Sequence, residues 1–126
     1  MSYGPVILDL LGPFLLIEER KMLQNPLVGG VILFSRNYQS PAQLVELCLN
    51  IRAARTQPIL IVVDQEGGRV QRFKDGFTHI PSMGQIGKLY DVSPAQGMSL
   101  AEACGWLMAS ELLASGVDLS FAPVLD

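Results

Sequence analysis

Four short apolar runs, separated by helix-like segments, constrain the fold more than any other feature of this chain. They predict β-strands near residues 6–10, 30–34, 59–63 and 119–125. The second and third runs are almost continuous in valine, isoleucine, leucine and phenylalanine, without polar alternation. Such runs are typical of parallel strands that are covered on both faces.

The segment between the second and third runs has the pattern of an amphipathic helix. Ser40 precedes Pro41, and Gln43 follows three residues after the serine, which is a capping-box pattern. The predicted helix covers residues 41–56. Its apolar stripe recurs at i, i+3, i+4 and i+7 and consists of Leu44, Leu47, Cys48 and Ile51.

Three further helices are predicted, at residues 18–24, around 85–90 and at about 99–114. Ser99 and Glu102 form a second capping-box pattern, which places the start of the last helix at Ser99. The segment before residue 85 reads as a loop that is rich in glycine and proline. Three side chains of the last helix are expected to pack against the sheet rather than bind a ligand: Trp106, Met108 and Leu112.

Alternating strands and helices imply an α/β fold with a parallel sheet and right-handed crossovers. The length of 126 residues suits an open flavodoxin-like sheet, since a (β/α)8 TIM-type barrel needs about 250. However, Asp9, Asp64 and Asp126 follow three strands closely and Arg36 follows the remaining one. The last run would also leave an unpaired, hydrophobic strand at the edge of the sheet, and such edges promote aggregation. We therefore expect more chain to follow, with residues 1–126 forming about four βα units of an incomplete barrel domain.

Composition excludes several classes of function. The net charge of −3 provides no basic surface for nucleic acid. Mean hydropathy is high, at +0.33, but no apolar run approaches the roughly 18 residues of a membrane span, and no signal peptide is evident. Cys48 and Cys104 are far apart and are expected to be reduced and buried, in the cytoplasm. The single His79 cannot build a histidine-rich metal site, and no metal or cofactor is predicted.

The stretch Asp64-Gln-Glu-Gly-Gly-Arg-Val-Gln-Arg72 carries the chemistry. A buried strand brings Asp64 to the sheet edge, and two glycines then permit a sharp turn or a close approach to a ligand. Arg69 and Arg72 share a face if the segment is helical. A carboxylate beside a guanidinium can bind neighbouring hydroxyls in a fixed geometry, as sugar recognition requires. The same residues can equally form an ion pair that only pins the loop.

As a string, this stretch resembles glycoside hydrolase family 3. Three other strings add to the resemblance: Gly29-Gly-Val-Ile-Leu-Phe-Ser-Arg-Asn-Tyr38, Gly105-Trp-Leu-Met-Ala-Ser-Glu111 and Phe121-Ala-Pro-Val-Leu-Asp126. Within the family, they resemble the bacterial cytoplasmic β-N-acetylglucosaminidases of peptidoglycan recycling. The resemblance spans almost the whole chain.

The resemblance implies the N-terminal part of a single-domain (β/α)8 barrel. It also implies exo-hydrolysis of terminal N-acetylglucosamine from anhydromuropeptides, with retention through a covalent glycosyl-enzyme intermediate. Asp64 and Arg72 match the family residues that bind hydroxyls of the terminal sugar. Glu66 and Arg69 belong to the same string and are assigned to loop architecture first.

This sequence departs from the family pattern in its catalytic groups. The nucleophilic aspartate belongs to a Ser-Asp-Asp segment late in the barrel, and the acid/base is a histidine on a mobile loop. Neither motif occurs here, and His79 lies outside any matching motif. Since retaining glycosidases need both groups around one glycosidic bond, we assign no catalytic residue and expect the 126-residue chain to be inactive.

Two other functions remain open on the sequence alone. A receiver-like signalling domain would use Asp64 as its phosphate acceptor, with Asp9 in its acidic cluster. A non-catalytic remnant would bind amino sugars without cleaving them. The partner in the favoured hypothesis is a small molecule, an N-acetylglucosaminyl anhydromuropeptide. No nucleic-acid or membrane partner is predicted, and the sequence leaves the oligomeric state open.

Overall fold

The computed structural model describes residues 4–124 and has the expected α/β architecture. The strands are β1 (Val6–Asp9), β2 (Val28–Leu33), β3 (Leu60–Val63), β4 (Gln65–Gly67), β5 (Val70–Gln71) and β6 (Leu119–Ser120). The helices are α1 (Ile17–Leu23), α2 (Pro41–Arg52), α3 (Met83–Val92) and α4 (Pro94–Ala114), and a 3₁₀ turn spans Ser35–Asn37.

The main sheet is parallel, with the strand order β1-β2-β3-β6. Each described strand of this sheet therefore lies beside the next one along the chain. A receiver-like or flavodoxin-like sheet has the order 2-1-3-4-5, in which the first strand lies between the second and third. Here β2 lies between β1 and β3, which contradicts the receiver hypothesis.

The two central strands are buried as their sequences predict. Five of the six residues of β2 and three of the four in β3 are buried. Strand β1 lies at the edge of the sheet and is largely exposed, with Val6 and Ile7 open to solvent. The main core lies between the sheet and α2, because all four residues of the predicted α2 stripe are buried.

Helix α2 begins as predicted but ends earlier. Ser40 is its N-cap and its Oγ accepts from the backbone N–H of Gln43 at 3.2 Å. The glutamine side chain, however, accepts from Gln39 rather than closing a capping box on Ser40. The helix ends at Arg52 instead of residue 56. Beyond it the chain turns towards β3, and the Arg55 guanidinium donates to backbone carbonyls, those of Val28 and Pro58 among them.

The start predicted for the last helix was wrong. Helix α4 begins at Pro94, with Ser93 as its N-cap, so Ser99 lies in the second turn and does not cap it. Proline at the first helical position needs no amide partner and has a φ preset for a helix, so it can start the helix without a side-chain cap. Helix α3 is real and longer than the predicted residues 85–90. Its Ser82 and Gln85 form a capping box that the sequence analysis did not identify.

One expectation about packing and one about the length of a strand also need correction. Leu112 is buried and Met108 packs against the core, but Trp106 is 71% exposed. It therefore does not pack between helix and sheet. The fourth strand was expected at residues 119–125, but regular pairing covers only Leu119–Ser120. Pro123 lacks an amide hydrogen for a longer ladder, and Leu125 and Asp126 lie outside the described residues.

Two further expectations concern the membrane-spanning potential of the helices and the state of the cysteines. Between residues 4 and 124, no helix combines the length and apolarity needed to cross a bilayer. Cys48 and Cys104 are both buried and are not in disulfides, as expected.

Candidate sugar-binding site

Asp64 follows the last residue of β3, at the carboxyl edge of the parallel sheet. Its carboxylate Oδ2 accepts from Arg72 Nη2 at 3.0 Å. The two side chains are 23% and 31% exposed, respectively, so the pair is shielded but open to a ligand. The structure thus brings together the two residues assigned from the sequence. An ion pair at a strand end is compatible with both the loop-pinning and the sugar-binding interpretations.

The chain between Asp64 and Arg72 is a β-hairpin, not a loop or a helix. Strands β4 and β5 pair antiparallel, so the segment is not helical and the condition under which Arg69 and Arg72 would share a helical face is not met. Gly67 and Gly68 both have positive φ, at 90° and 58°, which reverses the chain. A Cβ at Gly67 would collide with the carbonyl oxygen of Pro81. The glycines therefore permit a close approach to the protein's own backbone, at Pro81, rather than to a ligand.

Two buried glutamines hold this hairpin together, and sequence reasoning missed both. Gln65 accepts from the backbone N–H groups of Arg72 and Phe73 and donates to the carbonyl of Phe73. Gln71 donates to the carbonyls of Phe73 and Thr78 and accepts from Ile80 N–H. An amide can meet such backbone groups because it has both a donor and an acceptor.

Phe34, which follows β2, packs against the guanidinium of Arg72. The Arg72 Cζ lies 5.6 Å from the ring centroid, within the range of a cation–π contact. The Arg72 Nε is buried, and it has no hydrogen-bond partner among residues 4–124. The ring of Phe34, the carboxylate of Asp64 and the bond from the Arg72 backbone N–H to Gln65 together fix the orientation of Arg72.

Comparison with known proteins identifies the family. The model of the glycosyl hydrolase family 3 N-terminal domain matches residues 14–126. The chain belongs to glycosyl hydrolase family 3. It is 60% identical over its full length to a β-hexosaminidase of Alkalilimnicola ehrlichii, covering 36% of that protein.

Solved structures agree with this assignment. The crystal structure of native NagZ from Neisseria gonorrhoeae is 46% identical, with a TM-score of 0.95 over 98% of this chain and 36% of that one. NagZ from the same organism in complex with N-trifluoroacetyl-D-glucosamine gives a TM-score of 0.96, at 46% identity over 98% of this chain and 37% of that one. The family 3 chain described here thus spans about a third of the length of these relatives.

A second carboxylate at a strand end in this family 3 domain, that of Asp9, contributes to the structure of the loop after β1. Asp9 pairs with Arg36, whose Nε also donates to the carbonyl of Leu10. Asn37 is fully buried, donates to the carbonyls of Leu10 and Gly12, and accepts from Phe34 N–H. These contacts favour the structural interpretation of Asp9 and Arg36 over a ligand-binding one.

Other polar residues lie apart from the Asp64–Arg72 pair or outside the described residues. Glu66 and Arg69 line a cavity of about 300 Å³ between the hairpin turn and the start of α3. His79 and Lys74 line a separate cleft of about 340 Å³. Neither lining includes Asp64 or Arg72. Asp126 lies outside the described residues.

Metal ligands and titrating groups add little to this site. In the described part of the family 3 domain, no three His, Cys, Asp or Glu side chains cluster as metal ligands would. Burial raises the pKa of Cys48 from 9.0 to about 12; the charge of Arg52 lowers it and that of Asp118 raises it by smaller amounts. Burial, and then the charge of Asp75, raise the pKa of Tyr38. Cys48 lies on the buried face of α2, so neither shift creates a nucleophile at the Asp64–Arg72 pair.

Proposed function

We propose that residues 1–126 form the N-terminal part of a (β/α)8-barrel β-N-acetylhexosaminidase. The complete enzyme would remove terminal N-acetylglucosamine from peptidoglycan-derived muropeptides, with retention of configuration. In this proposal, Asp64 and Arg72 bind hydroxyls of that sugar. The paired carboxylate and guanidinium at the carboxyl edge of β3 is the observation that carries the assignment.

The strand order supports the barrel part of the proposal. A (β/α)8 barrel places each parallel strand beside the next in sequence, and its active site lies at the carboxyl ends of the strands. Strands β1, β2, β3 and β6 are in sequential order, and Asp64 follows β3 on that edge. The relatives, of which this chain covers about a third, provide the length that the remaining strands require.

The geometry of the pair supports the sugar-binding part. Arg72 has one guanidinium nitrogen on Asp64, and both side chains retain exposed surface. Charged groups that are fixed in advance bind hydroxyls strongly, because little reorganisation is needed on binding. The family 3 relative solved with N-trifluoroacetyl-D-glucosamine binds a sugar of the proposed class.

The catalytic groups belong, in this proposal, to the part of the enzyme beyond residue 126. A retaining glycosidase needs a nucleophilic carboxylate and an acid/base on opposite sides of the scissile bond. The chain described here would contribute recognition only. The free, buried cysteines favour a reducing compartment, and we propose the cytoplasm.

The test is hydrolysis of an aryl N-acetylglucosaminide, which is monitored by measuring the aryl alcohol that is released. The full-length protein should hydrolyse it, whereas the 126-residue chain alone should not. In the full-length protein, Asp64→Ala should lower kcat/KM by about 10²-fold, because a buried hydroxyl contact to a charged group is lost. The matched control is Asp9→Ala, which removes another arginine-paired carboxylate, at the carboxyl end of β1, and should leave kcat/KM within about threefold.

Two results would contradict the proposal. A full-length protein without hydrolase activity would remove the assigned function. Normal turnover by Asp64→Ala, or equal losses in both aspartate variants, would remove the assigned role of Asp64.

A further inference from the structure

The side chain of Gln65 bonds directly to the backbone that presents Arg72. It is 2% exposed, although an amide side chain is usually found at the surface. Its Oε1 accepts from Arg72 N–H at 2.9 Å and from Phe73 N–H at 3.1 Å, and its Nε2 donates to the Phe73 carbonyl at 3.0 Å. Three bonds from one side chain therefore fix the backbone at Arg72 and Phe73.

The backbone of Gln65 is anchored separately, to β6. Its N–H donates to Ser120 Oγ at 3.0 Å, and the same hydroxyl donates to the Gln65 carbonyl at 2.9 Å. One residue earlier than Asp64, the carbonyl of Val63 accepts from Phe121 N–H at 3.0 Å. The residues on both sides of Asp64 are therefore tied to β6.

Asp64 precedes the first strand of the hairpin and Arg72 follows the second, so the two residues come together only across the hairpin. Gln65 bonds to both sides: its backbone adjoins Asp64 and its side chain holds the backbone of Arg72. We propose that Gln65 is a positioning residue that sets the spacing of the sugar-binding pair, with Ser120 as its anchor on the sheet. This inference rests on the proposed function of that pair.

An apolar side chain of similar length shows why the amide matters. Methionine at position 65 would fill the same volume but would leave the N–H groups of Arg72 and Phe73 without their acceptor. Buried backbone donors are almost always paired, so this part of the hairpin would shift to find water or another acceptor. A displacement of about 1 Å in a binding group can cost about 10²-fold in rate.

The kinetic test is a double-mutant cycle in the full-length enzyme. Gln65→Met should lower kcat/KM on an aryl N-acetylglucosaminide by about 10- to 100-fold. In an Arg72→Ala background the same change should have less than about a twofold effect, since Gln65 acts through Arg72. Additive losses in the two backgrounds would overturn the proposal, because they would mean that Gln65 acts only on overall stability.

Gln71→Met is the matched control. Gln71 is the same residue type in the same hairpin and is 4% exposed, but its side chain bonds to Phe73, Thr78 and Ile80 and not to Arg72. It should lower the melting temperature without coupling to Arg72. Coupling as large as that of Gln65→Met would overturn the specific role of Gln65.

Ser120→Ala provides a second variant if Gln65→Met does not fold. It removes only the hydroxyl that anchors the backbone of Gln65, and it should lower kcat/KM by about 3- to 10-fold with the same loss of effect in the Arg72→Ala background. An unchanged kcat/KM in Ser120→Ala would remove the anchor from the proposal.

A crystal structure of the variants separates this inference from the proposed function. The Arg72 Nη2–Asp64 Oδ2 distance, 3.0 Å here, should lengthen beyond hydrogen-bonding range in Gln65→Met and stay unchanged in Gln71→Met. An unchanged distance in Gln65→Met would overturn the positioning role even if the enzyme proved to have another substrate. A wild-type protein that cleaves no N-acetylglucosaminide would overturn the proposed function alone.

Discussion

At the scale of single residues, the sequence identified the paired groups but not what holds them. Asp64 follows an apolar strand and Arg72 ends a distinctive string, so both could be named from the sequence. Gln65 and Gln71 have no comparable signal, because a glutamine within a few residues of a Gly-Gly pair looks like an ordinary polar turn residue. Only the hairpin pairing makes them buried hydrogen-bonding centres. Phe34 is a similar case, since its contact with Arg72 joins two strand ends that are far apart in sequence.

Cys48 gives a pH prediction at this scale. Its pKa is raised to about 12 in the folded protein, from 9.0, because burial disfavours the thiolate. In the unfolded chain the thiol loses its proton near pH 9, whereas in the folded protein it stays protonated. The resulting stabilisation is present below pH 9 and is lost as the pH rises from about 9 towards 12.

Urea denaturation between pH 7 and 11 measures this effect. The wild-type protein should lose more unfolding free energy above pH 9 than Cys48→Ala does, after the constant difference at pH 7 is subtracted. Parallel pH profiles for the two proteins would contradict the burial of Cys48 as a neutral thiol.

At the scale of elements, prediction succeeded where one physical signal dominated. The apolar stripe of α2 and the unbroken runs of β2 and β3 fixed the type and the buried face of each element. The start of α4 was missed because Pro94 begins a helix without a side-chain cap, whereas Ser99 and Glu102 imitate one within it. The β4–β5 hairpin was missed because its strands are two and three residues long. Such strands are too short to show alternation.

Gly67 provides the prediction for the hairpin. Its φ of +90° and its approach to the Pro81 carbonyl exclude a Cβ without rearrangement. Gly67→Ala should therefore lower the unfolding free energy by about 1–3 kcal/mol. The control is Gly87→Ala in α3, where a Cβ meets nothing within 4 Å. That change should stabilise by about 0.5–1 kcal/mol, since alanine is the better helix former. Urea denaturation measures both, and equal effects in the two variants would contradict the turn geometry.

At the scale of the whole molecule, the alternation of strands and helices predicted the fold class but not the strand order. Alternation implies parallel strands. It does not say whether the strands lie in the sheet in sequence order or in the flavodoxin-like order, in which the first strand lies between the second and the third. Pairing of β2 with both β1 and β3 decides between them. The sequential order is also what the proposed barrel requires, and the family 3 assignment fits the same arrangement.

The central claim is that the Asp64–Arg72 pair binds the terminal sugar. Its most direct test is a crystal structure of the full-length protein with N-acetylglucosamine bound. We expect sugar hydroxyls within about 3 Å of both the Asp64 carboxylate and the Arg72 guanidinium, with the pair close to its present geometry. A sugar bound elsewhere, with Asp64 and Arg72 contacting only each other, would contradict the account.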